Sequence, residues 1–157
     1  MESTDALNDA VLERGVALAA EFLAGLGTRP VAPAVEPEAV RAGIDVPLPG
    51  RPTDPVVVLE DVVRAVQPGL VASAGPRYFG FVTGGREPVA LAADWLASTW
   101  DQFVSAWVGA PAMCEVEATA GRWVVDLLDL PKGSSVGFTT GATQSNLVAL
   151  AAAHLEL

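Results

Sequence analysis

Apolar residues recur at helical spacing in five segments of the chain, and this pattern predicts five helices. The first covers residues 5–26, with Gly27 following as a natural C-cap. The second begins where Asp54 precedes Pro55, because an N-cap followed by proline at the first helical position is a typical helix start, and it stops at residues 68–69. The remaining three helices are predicted over residues 88–106, 111–130 and 144–155.

Two short segments are instead rich in aromatic and β-branched residues. Residues 77–83 lie between Gly-Pro and Gly-Gly pairs and are predicted to form a short strand or an extended segment. Residues 136–140 are predicted as a short strand that runs into the small-residue turn 141–143 and then into the last helix. The sequence therefore predicts a strand-turn-helix unit near residue 141.

Residues 30–55 hold seven of the chain's twelve prolines. Each proline fixes φ and removes a backbone donor, so no regular element is expected there. An extended arm that wraps another surface and a plain linker are both compatible with this composition.

Composition narrows the class of protein. The 157 residues are 51% hydrophobic and 18% charged, which predicts a globular protein rather than a disordered one. The formal net charge of −10 argues against direct binding of nucleic acid, since phosphate neutralisation needs clustered basic residues. No stretch is long and uncharged enough for a membrane span, and no secretory signal is visible. We therefore expect a cytoplasmic protein with no membrane partner.

The turn 141–143 is the first candidate binding site in the sequence. A strand that ends in small residues and leads into a helix aims unpaired backbone N–H groups and the helix dipole at one point, where a phosphate fits. Strand-turn-helix units with Gly and Thr are also common without any ligand, so a purely structural interpretation stays open. The pattern contains neither a Walker loop nor a Rossmann glycine motif.

Other reactive residue types give no catalytic site from sequence alone. His154 is the single histidine, so neither a metal site nor a Ser-His-Asp triad is expected. Cys114 lies within a predicted helix and fits a small core residue better than a nucleophile. We assign no catalytic residue and no metal ligand.

Six motifs stand in a characteristic order along the chain. They are Pro-Arg-Tyr-Phe-Gly-Phe-Val-Thr-Gly-Gly (76–85), Pro-Val-Ala-Leu-Ala-Ala-Asp-Trp-Leu (88–96), Trp-Val-Gly-Ala-Pro-Ala-Met-Cys-Glu-Val-Glu (107–117), Trp123, Asp-Leu-Leu-Asp-Leu-Pro (126–131) and Gly-Phe-Thr-Thr-Gly-Ala-Thr-Gln-Ser-Asn-Leu (137–147). In this order and spacing they resemble the N-terminal part of the group II pyridoxal-phosphate-dependent amino-acid decarboxylases.

The resemblance implies an α/β protein of fold-type I that binds pyridoxal 5'-phosphate, acts on an amino acid and forms a homodimer. It implies that residues 1–55 are an N-terminal helix and proline-rich dimerisation arm. Residues 56–157 are then the beginning of the cofactor-binding large domain, incomplete and helix-rich. By residue-to-residue match, the cofactor phosphate is held by Gly141, Ala142 and Thr143, and the substrate pocket is lined in part by Phe81, Val82, Thr83 and Trp107.

The chain also departs from the family pattern. It has Gly75-Pro76 where relatives usually have His-Pro, and Ala110-Pro111 where they have Ser-Pro, so the amino acid used as substrate stays open. The family's chemistry needs a Schiff-base lysine, an aspartate at the pyridine nitrogen and a stacking histidine, all beyond the phosphate turn. Lys132, the only lysine in this sequence, precedes that turn in a surface connection.

We therefore expect the N-terminal part of a pyridoxal-phosphate-dependent amino-acid decarboxylase, inactive on its own. Two alternatives remain: a non-catalytic dimerisation or binding module derived from that family, and a piece of an aminotransferase-type enzyme.

Overall fold

The computed structural model describes residues 4–33 and 35–155, and all regular elements among them are helical. The chain divides into two compact units, a first unit from Met1 to Leu91 and a second unit from Ala92 to Leu157. The elements are α1 (Thr4–Gly25), α2 (Pro37–Ile44), α3 (Pro55–Val66) followed by a 3-10 turn (Gln67–Gly69), α4 (Pro88–Trp100), α5 (Pro111–Leu127) and α6 (Ala142–Leu155).

In the first unit, α1 and α2 both pack against α3. The start of α3 is the predicted one: the Asp54 carboxylate accepts hydrogen bonds from the Val56 and Val57 amides at 2.8 and 3.3 Å, so two otherwise orphan donors at the helix start are satisfied. Helix α2 packs against α3 at Gly43, where an added Cβ would be in ordinary van der Waals contact with the backbone of Ala65 at 3.7 Å.

The expectation of no regular element in residues 30–55 is wrong, because α2 occupies Pro37–Ile44. Its proline stands at the first helical position, where the missing N–H costs no hydrogen bond. The next proline, Pro47, lies beyond the helix end. The number of prolines in residues 30–55 therefore did not predict the absence of a helix. The stretch without proline after Pro37 was the part of the sequence that indicated one.

The two predicted strands do not form in the described residues. Residues 77–83 make turns in which Phe81 and Val82 have left-handed φ values of 55° and 56°. Residues 136–139 are irregular, with no ladder partner in the described chain. A β-prone segment forms a strand only when a neighbouring strand supplies hydrogen bonds to it, so propensity alone overstated these two elements.

Helices α4 and α5 end at aspartates in the left-handed region. Helix α4 stops at Trp100, six residues before the predicted end, and Asp101 follows with φ 46°. After α5, the Leu130 amide donates to the Val125 carbonyl at 3.0 Å, and Asp129, with φ 50°, donates to the Asp126 carbonyl at 3.2 Å. This is a Schellman motif with aspartate in the position that glycine usually takes.

The chain exposes far more surface than a compact protein of its mass. Its accessible area is 12723 Å², whereas one globular protein of this mass exposes about 7,500 Å², and two separate globular bodies of the two units' lengths about 9,000 Å². In the described part, the buried apolar residues are Leu26, Ala72 and Ala110. Much of the apolar side-chain surface is therefore available for contact with further polypeptide.

No helix among the described residues combines the length and apolar character that a bilayer crossing requires.

Candidate functional site

The predicted phosphate turn lies directly at the start of α6. The Gln144 and Ser145 amides both donate to the Gly141 carbonyl at 3.1 Å, which closes the first turn of the helix. The preceding amides, those of Ala142 and Thr143, have no acceptor among the described residues. Together with the positive end of the helix dipole, these two free donors create a site suited to an anion.

Side-chain hydroxyl groups form hydrogen bonds that stabilise this turn. Thr139 Oγ1 lies 2.6 Å from Ser145 Oγ and donates to the Gly141 carbonyl at 3.1 Å. Thr140 Oγ1 donates to Gln144 Oε1 at 2.8 Å. The segment before the turn is thus tied to the first turn of α6 on two sides, and the free amides are held in place before any ligand arrives.

The space above Gly141 is open. A Cβ added at this residue would meet nothing within 4 Å, and Gly141, Ala142 and Thr143 are all exposed. An incoming oxygen atom can therefore reach the backbone amides without displacing protein atoms. The three residues predicted from the sequence lie together, at one helix N-terminus.

Three of the four predicted pocket residues lie in the turn of the first unit described above. Phe81 and Val82 are 94% and 105% exposed, and the Thr83 amide donates to the Gly80 carbonyl at 3.2 Å. A left-handed φ is unfavourable for a β-branched side chain, so the backbone at Val82 is strained. The fourth residue, Trp107, belongs to the second unit and is 59% exposed.

A groove that the sequence reasoning missed lies between α5 and the segment 132–136. It has a volume of about 640 Å³ and carries two basic and two acidic side chains, Arg122, Lys132, Glu117 and Asp126. Gly121, in the middle of α5, lines the groove, and a Cβ there would be in van der Waals contact with that of Val136 at 3.4 Å. A lone glycine inside an otherwise strongly periodic helix was the signal available in the sequence.

Lys132 and the phosphate turn do not share this groove, because none of residues 139–145 lines it. Cys114 also lines the groove and is half-buried, with Sγ 3.9 Å from the Val104 carbonyl. No group of three or more metal-ligating side chains comes together in the described residues. The two amides of the turn that have no acceptor among the described residues are the candidate anion site of the second unit.

The chain matches the model of the family described as "Pyridoxal-dependent decarboxylase conserved domain" over residues 37–157. It is 30% identical over 146 residues to an aromatic-L-amino-acid decarboxylase of Rattus norvegicus, covering 88% of this chain and 30% of the relative. A Bacillus atrophaeus aromatic-L-amino-acid decarboxylase is 26% identical over 141 residues, covering 90% of this chain and 29% of that protein. The chain thus spans about 30% of the length of these relatives.

Two solved structures are similar in fold to this chain over most of its length. Oryza sativa TDC with PLP superposes with a TM-score of 0.73 at 24% identity, over 88% of this chain and 29% of that one. Rhodiola rosea 4-hydroxyphenylacetaldehyde synthase gives a TM-score of 0.67 at 25% identity, over 83% of this chain and 28% of the other. The fold class predicted from the sequence, a helix-rich beginning of a larger α/β fold, is confirmed by this likeness.

Proposed function

Because this chain belongs to the pyridoxal-dependent decarboxylase family, we propose that it supplies the cofactor-phosphate turn and part of the substrate pocket of a pyridoxal-phosphate-dependent amino-acid decarboxylase. The observation that carries the proposal is the pair of free amides, Ala142 and Thr143, at the start of α6 and within the matched region. The family resemblance and the geometry of the turn point independently to these residues.

The residues of the turn fit the phosphate of pyridoxal 5'-phosphate. Two backbone amides without an acceptor and the positive end of the helix dipole lie at an exposed turn, and no carboxylate is nearby in sequence. Gly141 leaves room for the phosphate oxygens to approach the backbone. A dianionic group bound here forms charge-assisted hydrogen bonds. Little free energy is lost in reorganising the turn, because side-chain hydrogen bonds already hold its conformation.

When bound, pyridoxal phosphate supplies the electron sink that decarboxylation of an amino acid requires. This chain's contribution is to hold and orient the cofactor through its phosphate. We do not assign Lys132 as the point of cofactor attachment, because it lines a groove to which none of residues 139–145 contributes and it precedes the turn in the family pattern. We therefore infer that the 157 residues bind the phosphate group without catalysing the reaction.

An amino acid is the proposed substrate of the complete enzyme, and the names of the Rattus and Bacillus relatives favour an aromatic one. Phe81, Val82 and Thr83 of the first unit are proposed as substrate-pocket residues, and so, from the family resemblance, is Trp107 of the second unit. The strained backbone at Phe81 and Val82 supports a functional role for this turn, since strain of this kind clusters at ligand-binding positions.

We also propose homodimer formation through the N-terminal helix and the segment 30–55. A non-catalytic dimerisation or binding module is the second candidate function, and the large exposed surface favours it: Leu147 and Leu150 on α6 are 67% and 70% exposed. Both functions require partner contact, and only the first requires cofactor binding at the turn.

Pyridoxine 5'-phosphate and pyridoxine separate the two functions. They differ only in the phosphate, and neither has the aldehyde that reacts with amines. In an amide NMR titration of the ¹⁵N-labelled full chain, we expect pyridoxine 5'-phosphate to shift the Ala142 and Thr143 signals and pyridoxine to leave them unchanged.

Two glycine variants provide the control. Gly141→Val fills the approach to the turn and should abolish these shifts. Gly137→Val adds the same side chain at a glycine that is equally open and should preserve them. Equal binding by both variants, or no phosphate-dependent shift at the turn, would contradict the proposed cofactor role and leave the binding module as the function.

A further inference from the structure

Two hydroxyl groups on either side of the turn 141–143 meet at one backbone carbonyl. Thr139 Oγ1 and Ser145 Oγ are 2.6 Å apart, although six positions separate the two residues in sequence. Thr139 Oγ1 donates to the Gly141 carbonyl at 3.1 Å, and Ser145 Oγ lies 3.4 Å from the same oxygen. The segment before the turn and the first turn of α6 are therefore joined at the Gly141 carbonyl.

The number of protons decides how these bonds run. Each hydroxyl has one proton to donate. The two shortest distances are both satisfied when Thr139 donates to the Gly141 carbonyl and Ser145 donates to Thr139 Oγ1. Ser145 then orients the Thr139 hydroxyl, and Thr139 in turn holds the carbonyl.

The Gly141 carbonyl controls the direction of a free backbone donor. It also accepts the Gln144 and Ser145 amides at 3.1 Å, so it points toward the first turn of α6. In a planar trans peptide the C=O and the N–H point in opposite directions. The bonds that hold this carbonyl therefore point the Ala142 N–H, which has no acceptor among the described residues, away from the helix.

A glycine at this position makes the restraint valuable. Gly141 has no side chain, and a Cβ added there would meet nothing within 4 Å, so packing does not limit rotation of its backbone. Thr139 is half-buried, which reduces competition from water for its hydroxyl. The two hydroxyls thus supply an order that glycine alone does not.

We infer that Thr139 and Ser145 are positioning residues of the phosphate turn. The inference rests on the cofactor role proposed above and gives the two hydroxyls a part in it. They act on the phosphate through the peptide that joins Gly141 to Ala142, without contacting the ligand themselves. A donor that is already oriented loses less freedom when the phosphate binds, so the affinity is higher.

Titration of the ¹⁵N-labelled full chain with pyridoxine 5'-phosphate measures this contribution. Thr139→Val keeps the shape of the side chain and removes its hydroxyl, and Ser145→Ala removes the other hydroxyl. Each variant should bind about fivefold more weakly, as expected for the loss of one neutral hydrogen bond. Thr139→Ser and Ser145→Thr keep the hydroxyl and should retain the affinity of the unaltered chain.

Thr99→Val and Ser134→Ala are matched controls in the same unit. The Thr99 hydroxyl donates to the Trp95 carbonyl at 2.8 Å, and the Ser134 hydroxyl donates to the Pro131 carbonyl at 2.8 Å. Each control removes the same atom and the same kind of bond outside the phosphate turn. Both should leave the affinity unchanged.

Two further measurements separate positioning from general stability. The double variant Thr139→Val/Ser145→Ala should bind no more weakly than either single variant, because all three break the same chain of bonds. In the free chain, ¹⁵N relaxation should show a more mobile Ala142 amide in each single variant. The helix signal in circular dichroism should stay the same.

The possible results distinguish this inference from the proposed function. If Thr139→Val and Ser145→Ala bind as tightly as the unaltered chain, or if the controls weaken binding equally, the positioning role is wrong and the cofactor role stands. An Ala142 amide of unchanged mobility would also overturn it. No phosphate-dependent shift in the unaltered chain would contradict both.

Discussion

Arg14 of α1 donates from Nε to Oε1 of Glu60 in α3 at 2.7 Å, across 46 residues of sequence. The two side chains are 34% and 38% exposed, so solvent screens the interaction only in part. Nη1 of the same arginine lies 3.5 Å from Glu21. This one side chain joins the N-terminal helix to α3 in a unit with few buried apolar residues.

We predict that Arg14 and Glu60 are energetically coupled. A double-mutant cycle with Arg14→Ala and Glu60→Ala should give a coupling free energy of about 0.5–1.5 kcal/mol, because a charge-assisted hydrogen bond in a half-buried setting exceeds a surface ion pair. The Arg64–Asp61 pair is the control: it is mostly exposed, and its cycle should give less than about 0.5 kcal/mol. Urea unfolding of the full chain supplies the free energies, and equal coupling in both pairs would contradict the prediction.

The N-cap of α3 gives a second prediction. Asp54→Ala removes the acceptor for the Val56 and Val57 amides and should lower the free energy of unfolding by about 1 kcal/mol. Asp45→Ala removes a similar charge at the end of α2, where the backbone N–H rather than the side chain makes the cap bond. Urea midpoints of the two variants should therefore differ. A loss as large in Asp45→Ala would mean that charge, rather than capping, is responsible.

The left-handed aspartate after α5 predicts a stabilising substitution. Asp129 has φ 50° in the Schellman motif, and Asp129→Gly should raise the thermal midpoint because glycine adopts this conformation without steric cost. The expected gain is about 0.5–1 kcal/mol. The same change at Asp126, inside α5, should lower stability by about 0.3 kcal/mol, because the helix propensity of glycine is only slightly below that of aspartate. Circular dichroism melting of both variants checks the opposite signs.

Helix positions were largely predictable from the sequence because their signals are local. Apolar spacing and the Asp54-Pro55 pair define α3, and proline at the first helical position also marks α4 and α5. The end of α4 was missed because it depends on the left-handed turn at Asp101, which no spacing rule shows. Strands at 77–83 and 136–140 were overpredicted because strand formation depends on partners elsewhere in the chain.

The features of the candidate site likewise fall into those that local sequence predicts and those that depend on distant segments. The turn 141–143 was found from sequence because a helix N-terminus preceded by small residues is a local feature. The groove beside α5 was missed because it requires a contact between separate segments, such as that of Gly121 with Val136.

The close packing of α2 on the turn after α3 gives a further prediction. A Cβ at Gly69 would lie 3.1 and 3.2 Å from the two methyl groups of Val40, so Gly69→Ala should destabilise the chain by about 1–2 kcal/mol through overpacking. Shortening the neighbour in the double variant Gly69→Ala/Val40→Ala should cost less than the sum of the two single changes. Urea unfolding measures all three. Strict additivity would show that the two residues do not press on each other.

The exposed apolar surface of α6 predicts self-association. Leu147 and Leu150 lie largely exposed on a helix with apolar residues on several sides, and such a helix is normally buried. Leu150→Glu should therefore shift the full chain toward monomer in sedimentation velocity, with a stability change within about 0.5 kcal/mol because the side chain packs little in the monomer. Asn146→Glu adds the same charge at a polar position of α6 and should reduce association less. Unchanged association in Leu150→Glu would mean that α6 is not part of the contact surface, and the N-terminal helix with the segment 30–55 would remain the proposed contact.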